Sequence, residues 1–476
     1  MSAREMKGLH ADPRELNGSG REKTSDDVHL ASGTLACSLC SVSAVRFSSL
    51  GRVLLAYLSQ FAIQVKTDRC FSLGWLTVIG WQATFATACY LTGTMIQGVS
   101  VLTHPDYTPA YWHPTMYYWA VVAFAVGINI VGRSVLPRLE GLILVVHILG
   151  FFAVIIPLVS LAEITSAKDV FTEFVNQGGW SSDGLSFFVG LIGCVFAFAG
   201  GDAAVHMSEE IENATVIVPR SILLSVLING MLGFGMAIAL LFCLGDLDTA
   251  LASPTGYPFM EIFRSGTNSV GGAATMTSII IVVCICSSTG MMAATSRQLW
   301  SFARDRGVPG WKIWSYVSPT TAIPTWSVVL TTTIAALLAL IPIGSAVAFN
   351  DLCAMSISGL YLSYILVACL LLWRRVTGCI SKTAEADEIV NTIGARLVWG
   401  QFYIPGIWGV IVNVFAIIYA LIVVFFSFWP PYAEVELETM NFSVVGTVSV
   451  IVLSVFYYLV RARHVYRGPI IETSPL

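Results

Sequence analysis

From Gly141 to Leu161 the chain runs 21 residues without a lysine, arginine, aspartate or glutamate. A helix of that length, rising 1.5 Å per residue, reaches about 31 Å, the thickness of the hydrocarbon core of a bilayer. Windows of about 19 residues find ten such spans. They lie near 72–100, 113–131, 139–161, 184–212, 221–245, 270–293, 322–342, 347–373, 404–428 and 443–460. A chain that is 56% hydrophobic and 11% charged, with a mean hydropathy of +0.76, is too apolar for a water-soluble protein of this length. The expected fold class is therefore an all-α polytopic membrane protein. The net charge of -4 and the lack of a basic stripe interleaved with aromatics give no reason to expect nucleic acid as a partner. The expected partners are the lipid bilayer and a small molecule, in an unknown oligomeric state.

Charge in the connections orients the chain. With the N-terminus in the cytosol, 23 of the 25 lysines and arginines fall on the cytoplasmic side, leaving Lys168 and Arg264 outside. By the positive-inside rule both termini are cytoplasmic, most simply at the plasma membrane. Three regions follow: a polar tail and atypical segment at 1–71, a transmembrane domain at 72–460, and a C-terminal tail at 461–476. Within the first, residues 53–65, "VLLAYLSQFAIQV", would reach only about 20 Å as a helix, short of a full crossing. None of the eleven cysteines lies in an outer loop, so no structural disulfide is expected. The lone pair Cys37 and Cys40 lacks the further ligands that zinc requires. The sequons at Asn213 and Asn441 face the cytosol and the membrane surface respectively, and neither suits glycosylation.

The fourth span breaks this apolar pattern. It contains "FAFAGGDAAVHMSEE", Phe196 to Glu210, which sets two glycines and an aspartate near mid-membrane. Each glycine costs a helix about 1 kcal/mol against alanine and frees its backbone to unwind. Irregular backbone at that depth is tolerated only where it is buried in protein or lines a cavity. Discontinuous helices of this kind present backbone groups and half-helix dipoles to the cargo of secondary transporters. Asp202 has no lysine or arginine in the middle of another span to pair with. An ionisable residue inside a span marks a functional site, or alternatively the carboxylate caps the inner half-helix. His206, Glu209 and Glu210 follow at helical spacing and read as an interfacial polar face.

Four segments carry a family resemblance: "FAFAGGDAAVHMSEEIENATVIVPRSI" (196–222), "SRQLWSFARDRGVPGW" (296–311), "SPTGYPFMEIF" (253–263) and "GWLTVIGWQATFATACYLTG" (74–93). Together they resemble the fungal amino acid/choline transporters, which include GABA and choline permeases, within the amino acid-polyamine-organocation (APC) superfamily. The resemblance covers the chain from about residue 72 onward. It implies twelve spans around a LeuT-like inverted repeat of five plus five helices, the first and sixth unwound at the substrate. The ten spans then correspond to family helices three to twelve, and the Gly-Gly-Asp break to the sixth. The first two family helices find no counterpart in residues 1–71, so they are missing or degenerate. Either an incorrect gene model or a truncated paralogue accounts for that.

The resemblance also proposes a substrate-binding set. At the break it comprises Phe196, Phe198, Ala199, Gly200, Gly201 and Asp202. From the other cavity-lining helices it draws Trp81, Gln82, Ser288 (beside Ser287), Asn350, Asp351 and Ser356. An aromatic wall suits an ammonium group through cation-π attraction, and a lone carboxylate suits its charge. Helix–helix hydrogen bonding accounts for the same polar residues equally simply. Arg297, Arg304 and Arg306 read as anchors of the inner face. The implied activity is secondary active transport of an amino acid, GABA or choline by alternating access, without a cofactor and coupled to protons or sodium. A nutrient sensor or a paralogue that does not transport is the contrasting reading. Without a nucleotide-binding fingerprint or a nucleophile–base pair in the spans, ATP-driven pumping and enzymatic activity are not expected.

Overall fold

The computed structural model describes residues 67–131, 136–208, 211, 213–319, 321, 323–344, 348–382, 397–400, 402–436, 440–466 and 468. The polar tail, the Cys37–Cys40 pair, the 53–65 segment, Glu209 and Glu210 lie outside the described residues. The principal helices are α1 (Thr67–Thr103), α2 (His113–Val131), α3 (Leu136–Leu161), α4 (Asp183–Ala197), α5 (Ala203–His206) and α6 (Ala214–Phe242). They continue with α7 (Pro258–Thr267), α8 (Val270–Arg304), α9 (Thr325–Leu338), α10 (Ala348–Val376), α11 (Gly406–Ser427) and α12 (Ser443–Tyr457). The only strands among the described residues are a two-residue parallel pair, Ile380–Ser381 with Leu397–Val398.

Among the described residues seven helices are long and apolar enough to cross a bilayer: α1, α3, α6, α8, α10, α11, and α12 taken with its continuation to Val465. The three remaining expected spans, at 113–131, 184–212 and 322–342, fall on helices of 19, 15 and 14 residues. Two of them are shorter than expected for identifiable reasons. α4 stops at Ala197, where the backbone turns toward Gly200. α9 stops at Leu338, four residues before Pro342, a residue with no N–H to donate to the Leu338 carbonyl. Helical structure also extends past the expected first and last spans. α1 starts at Thr67, ahead of residue 72, and the last helix passes through a π-turn at Tyr458–Ala462 into Arg463–Val465.

The fold is organised around α1. This 37-residue helix packs along α8 and α10 and also touches α2, α9 and α12. Its hydroxyl groups can be buried because they bond within their own helix, Thr77 to Leu73 O, Thr84 to Gly80 O and Thr87 to Ala83 O. Where α1 meets α10 the backbones come close. A Cβ on Gly359 would lie 3.0 Å from both Gly80 Cα and Leu76 O, and one on Gly80 would lie 2.9 Å from Leu360 N. One turn along the same seam, the Thr84 and Ser356 hydroxyls share a 2.5 Å hydrogen bond. Small residues at a crossing and polar residues as fasteners are how helices associate where lipid is as apolar as leucine.

Similar fasteners hold the next layer. Tyr118 OH of α2 donates to Ala335 O of α9 at 2.9 Å, and Asn129 Nδ2 of α2 donates to Thr289 O of α8 at 3.0 Å. Ser358 of α10 and Thr447 of α12 share a 2.8 Å bond. Outside this packed centre, α3 and α6 expose Leu142, Leu149, Ile156, Leu224 and Met231, the apolar surface that a lipid-facing helix presents. Asn441 donates to Ser427 O and Trp429 O and accepts from Ser443 N, so its sequon side chain is committed to the loop.

Candidate functional site

The local chemistry of the chain starts α4 and ends it. Ser182 accepts from Leu185 N as the N-cap. At the other end Phe198 leaves helical geometry and Gly200 adopts φ +83°, a left-handed conformation that a side chain resists. The turn closes with Ala199 N donating to Phe196 O at 2.8 Å and Ala203 N to Gly200 O at 2.9 Å. The chain then makes a single helical turn, α5. That four-residue piece is too short to supply the half-helix dipole expected on the inner side. The 15-residue α4 instead directs its C-terminal, negative end at the break.

Asp202 follows the break, and the capping reading does not describe it. Its side chain makes no cap hydrogen bond to α5. Its Oδ2 accepts a 2.5 Å hydrogen bond from Tyr364 OH of α10 instead. His206 Nε2 stands 3.6 Å from the same oxygen, with the His206 and Asp202 side chains 4% and 5% exposed. His206 is therefore not part of an interfacial polar face, because the turn of α5 carries its ring inward. There it meets the Trp81 ring of α1 edge-on, with centroids 5.1 Å apart at 86°.

Trp81 closes the site from the α1 side. It is fully buried, its carbonyl accepts from Thr295 Oγ1 of α8, and its indole Nε1 finds no hydrogen-bond partner among the described residues. It packs with Met291 and Ala294 of α8, Leu360, Tyr361 and Tyr364 of α10, and Ala203. A Cβ on Gly200 would come within 3.4 Å of Met291 Cε and 3.9 Å of Trp81 Cη2. Both are ordinary van der Waals distances, so it is the left-handed backbone rather than the space that calls for glycine here. Four helices meet here, bringing one carboxylate, one imidazole, one phenol and one indole together.

The other expected residues occupy different positions. Phe196 packs with Val195, Cys353, Ile357 and Tyr361, and the Phe198 ring lies over Gly230 of α6. The aromatic wall on this side is thus split between two neighbours. Gln82 points to α9, donating to Thr331 Oγ1 at 3.0 Å. Ser288 bonds to Cys284 O inside α8, and Ser356 is taken up by Thr84. Asn350 and Asp351 begin α10, 14 and 13 residues before Tyr364, about 20 Å away along the helix axis. There Asp351 Oδ1 accepts from Phe442 N at 3.0 Å and holds the start of α12. Arg304 and Arg306 stack on Trp300 and Trp311, and Arg297 donates to Ala293 O, as anchors would.

Sequence reasoning does not reach Tyr364. A tyrosine in an apolar helix gives no local sign of the carboxylate it faces, 162 positions away. The one available hint is that "GLYLSYILVA" places two tyrosines one turn apart in mid-span.

Comparison with known proteins adds an independent line. A family profile described as amino acid permease matches residues 29–450. It begins well before residue 72 and takes in much of the segment for which the family likeness predicts no counterpart. A Macrophomina phaseolina protein named as an amino acid/polyamine transporter is 30% identical over 372 residues, 78% of each chain. The choline transporter of Saccharomyces cerevisiae is 30% identical over 402 residues, 84% of this chain and 67% of that one. Amino-acid permease 2 of Neurospora crassa is 24% identical over 409 residues, covering 84% and 71%.

Proposed function

The chain belongs to the amino acid permease family, and on that footing we propose how it works as a transmembrane transporter of amino acids or related small nitrogenous solutes. Its cargo carries a positively charged nitrogen, as amino acids, GABA and choline do. The cargo nitrogen is received at the break between α4 and α5. Transport is secondary, by alternating access, and draws on a proton or sodium gradient.

One observation supports this reading most directly: a buried carboxylate, Asp202, sits beside a helix interruption, accepts from Tyr364 OH and stands near His206, whose ring meets that of Trp81. A buried carboxylate is costly unless it is matched by positive charge. The negative end of α4 and the ring faces favour the same partner. The unpartnered Trp81 N–H supplies a donor for an acceptor on the solute.

The test is uptake of labelled choline, GABA and a panel of amino acids into liposomes holding the purified full chain, with proton or sodium gradients imposed in turn. At least one solute should accumulate above its outside concentration. Asp202→Asn, which keeps shape and hydrogen bonding, should lower the accumulation ratio at least tenfold while the protein remains folded. Wild-type rate and accumulation in Asp202→Asn would remove this carboxylate from the mechanism. Saturable binding without flux would fit a sensor instead.

A further inference from the structure

We propose that Glu140 of α3 is a second station for the ammonium group of the cargo, on the basic side of the break; the role rests on the transporter reading, which supplies the cargo. The face of α3 that bears it turns inward. Glu140, His147, Phe151, Val154 and Leu158 recur at helical spacing on that face. Val154 and Leu158 are buried in one cluster with Ala273 and Met276 of α8, and Phe151 Cζ lies 3.7 Å from where a Cβ on Gly235 of α6 would sit. Leu142, Leu149 and Ile156, on the other faces, are exposed. Glu140 stands at the start of the stripe and is itself exposed, so its carboxylate is open to the basic side while it points at the bundle.

Across the seam from α3, Glu140 Oε1 lies 3.0 Å from where a Cβ on Gly290 of α8 would sit, so the glycine gives the carboxylate room against that helix. The next residue of α8, Met291, is the one whose Cε comes within 3.4 Å of a Cβ at Gly200. The carboxylate and the break therefore adjoin neighbouring faces of α8, one residue apart along it. The N-terminal dipole of α3 does not account for an acid here. Glu140 is the fifth residue of the helix, past the first turn in which that attraction acts.

Ionisable residues that face the interior of a membrane bundle mark the routes of ions and charged substrates. A carboxylate in this position attracts an organic cation that has left Asp202 and, in the other direction, gathers cations from the basic side toward the break. Arg138, two residues earlier, lies about 200° round the helix and does not share the stripe. His147 shares it, two turns further in. The station works through charge at short range. Its effect therefore belongs to one face of the membrane and weakens as salt screens it.

The experiment measures exchange of labelled for unlabelled choline, GABA or lysine in right-side-out and inverted membrane vesicles holding the full chain, with vesicles lacking it as the blank. One face is kept saturated while the solute is varied at the other, so each face yields its own half-saturating concentration. Glu140→Gln should raise that concentration about tenfold at the face that carries Cys379, at low ionic strength, and leave the opposite face within about twofold. The rise should shrink at high salt. Glu140→Asp, which keeps the charge, should stay closer to the wild type than to Glu140→Gln, and this second variant separates lost charge from lost folding. An unchanged value at the Cys379 face, an equal rise at both faces, or a rise that salt does not reduce overturns the proposal and leaves transport standing. If the unaltered chain exchanges none of the three solutes, the transport reading falls and the station falls with it.

Discussion

Gly200 carries the break on a backbone property. Its φ of +83° lies where an L side chain strains against its own carbonyl, while Met291 and Trp81 stand at ordinary contact distance from where a Cβ would sit. Gly200→Ala should therefore cost about 1–2 kcal/mol in stability from conformation alone. The contact at 3.4 Å adds little, because the flexible end of Met291 can give way. Thermal unfolding in detergent should show a fall of a few degrees, and uptake should suffer more than stability does. An unchanged unfolding midpoint would mean that the break is not held in the left-handed conformation. The glycine pair and Asp202 are conspicuous in the sequence because each violates the rules of a lipid-buried helix. Tyr364 and the inward turn of His206 violate nothing locally, and only the neighbouring helices give them a role.

Among the elements, the seam between α1 and α10 carries the tightest constraint. Gly80 and Gly359 face one another so closely that a Cβ on either would meet main-chain atoms, which cannot rotate away as a side chain would. Gly359→Val should force the two helices apart and break the Thr84–Ser356 bond beside it, at a cost of about 1–3 kcal/mol. Since α10 also carries Tyr364, the displacement should weaken its hold on Asp202. A reduced unfolding temperature together with lower transport is the expected result. Wild-type stability in Gly359→Val would show that the crossing is looser than described. The spacing of small residues along α1 and α10 is visible in the sequence. Which glycine opposes which depends on the register of two helices separated by more than 200 residues.

The whole molecule is asymmetric in charge. With 23 of 25 basic residues on one side, the positive-inside rule assigns that side to the cytosol, and we propose that orientation for this chain. Cys379, after the end of α10, gives it a test. The thiol is exposed, and the Thr377 hydroxyl, donating to its sulfur at 3.1 Å, holds its pKa below the ordinary thiol value, with help from Arg374. A depressed pKa increases the thiolate fraction at neutral pH and preserves it as pH falls toward the lowered value. A membrane-impermeant maleimide should thus label Cys379, read as the difference from Cys379→Ser, only after cells are permeabilised. Labelling should persist to lower pH than for an ordinary thiol, and Thr377→Val should remove that advantage. Labelling on intact cells would reverse the proposed orientation.

The sequence by itself determined that this chain lives in a bilayer as a bundle of helices, where one helix fails, and to which family it belongs. Those properties follow from local composition and short motifs, since a lipid-spanning segment must be apolar and satisfy its own backbone wherever it ends up. Tertiary structure alone decided that Asp202 faces Tyr364 and His206 rather than capping a helix. It also placed Gln82, Ser356 and Asp351 in seams between helices, away from Asp202. A polar side chain in a membrane helix needs a partner, and its own sequence neighbours do not reveal which partner it finds. The choice is made by helix rotation and crossing, which depend on packing across the entire bundle.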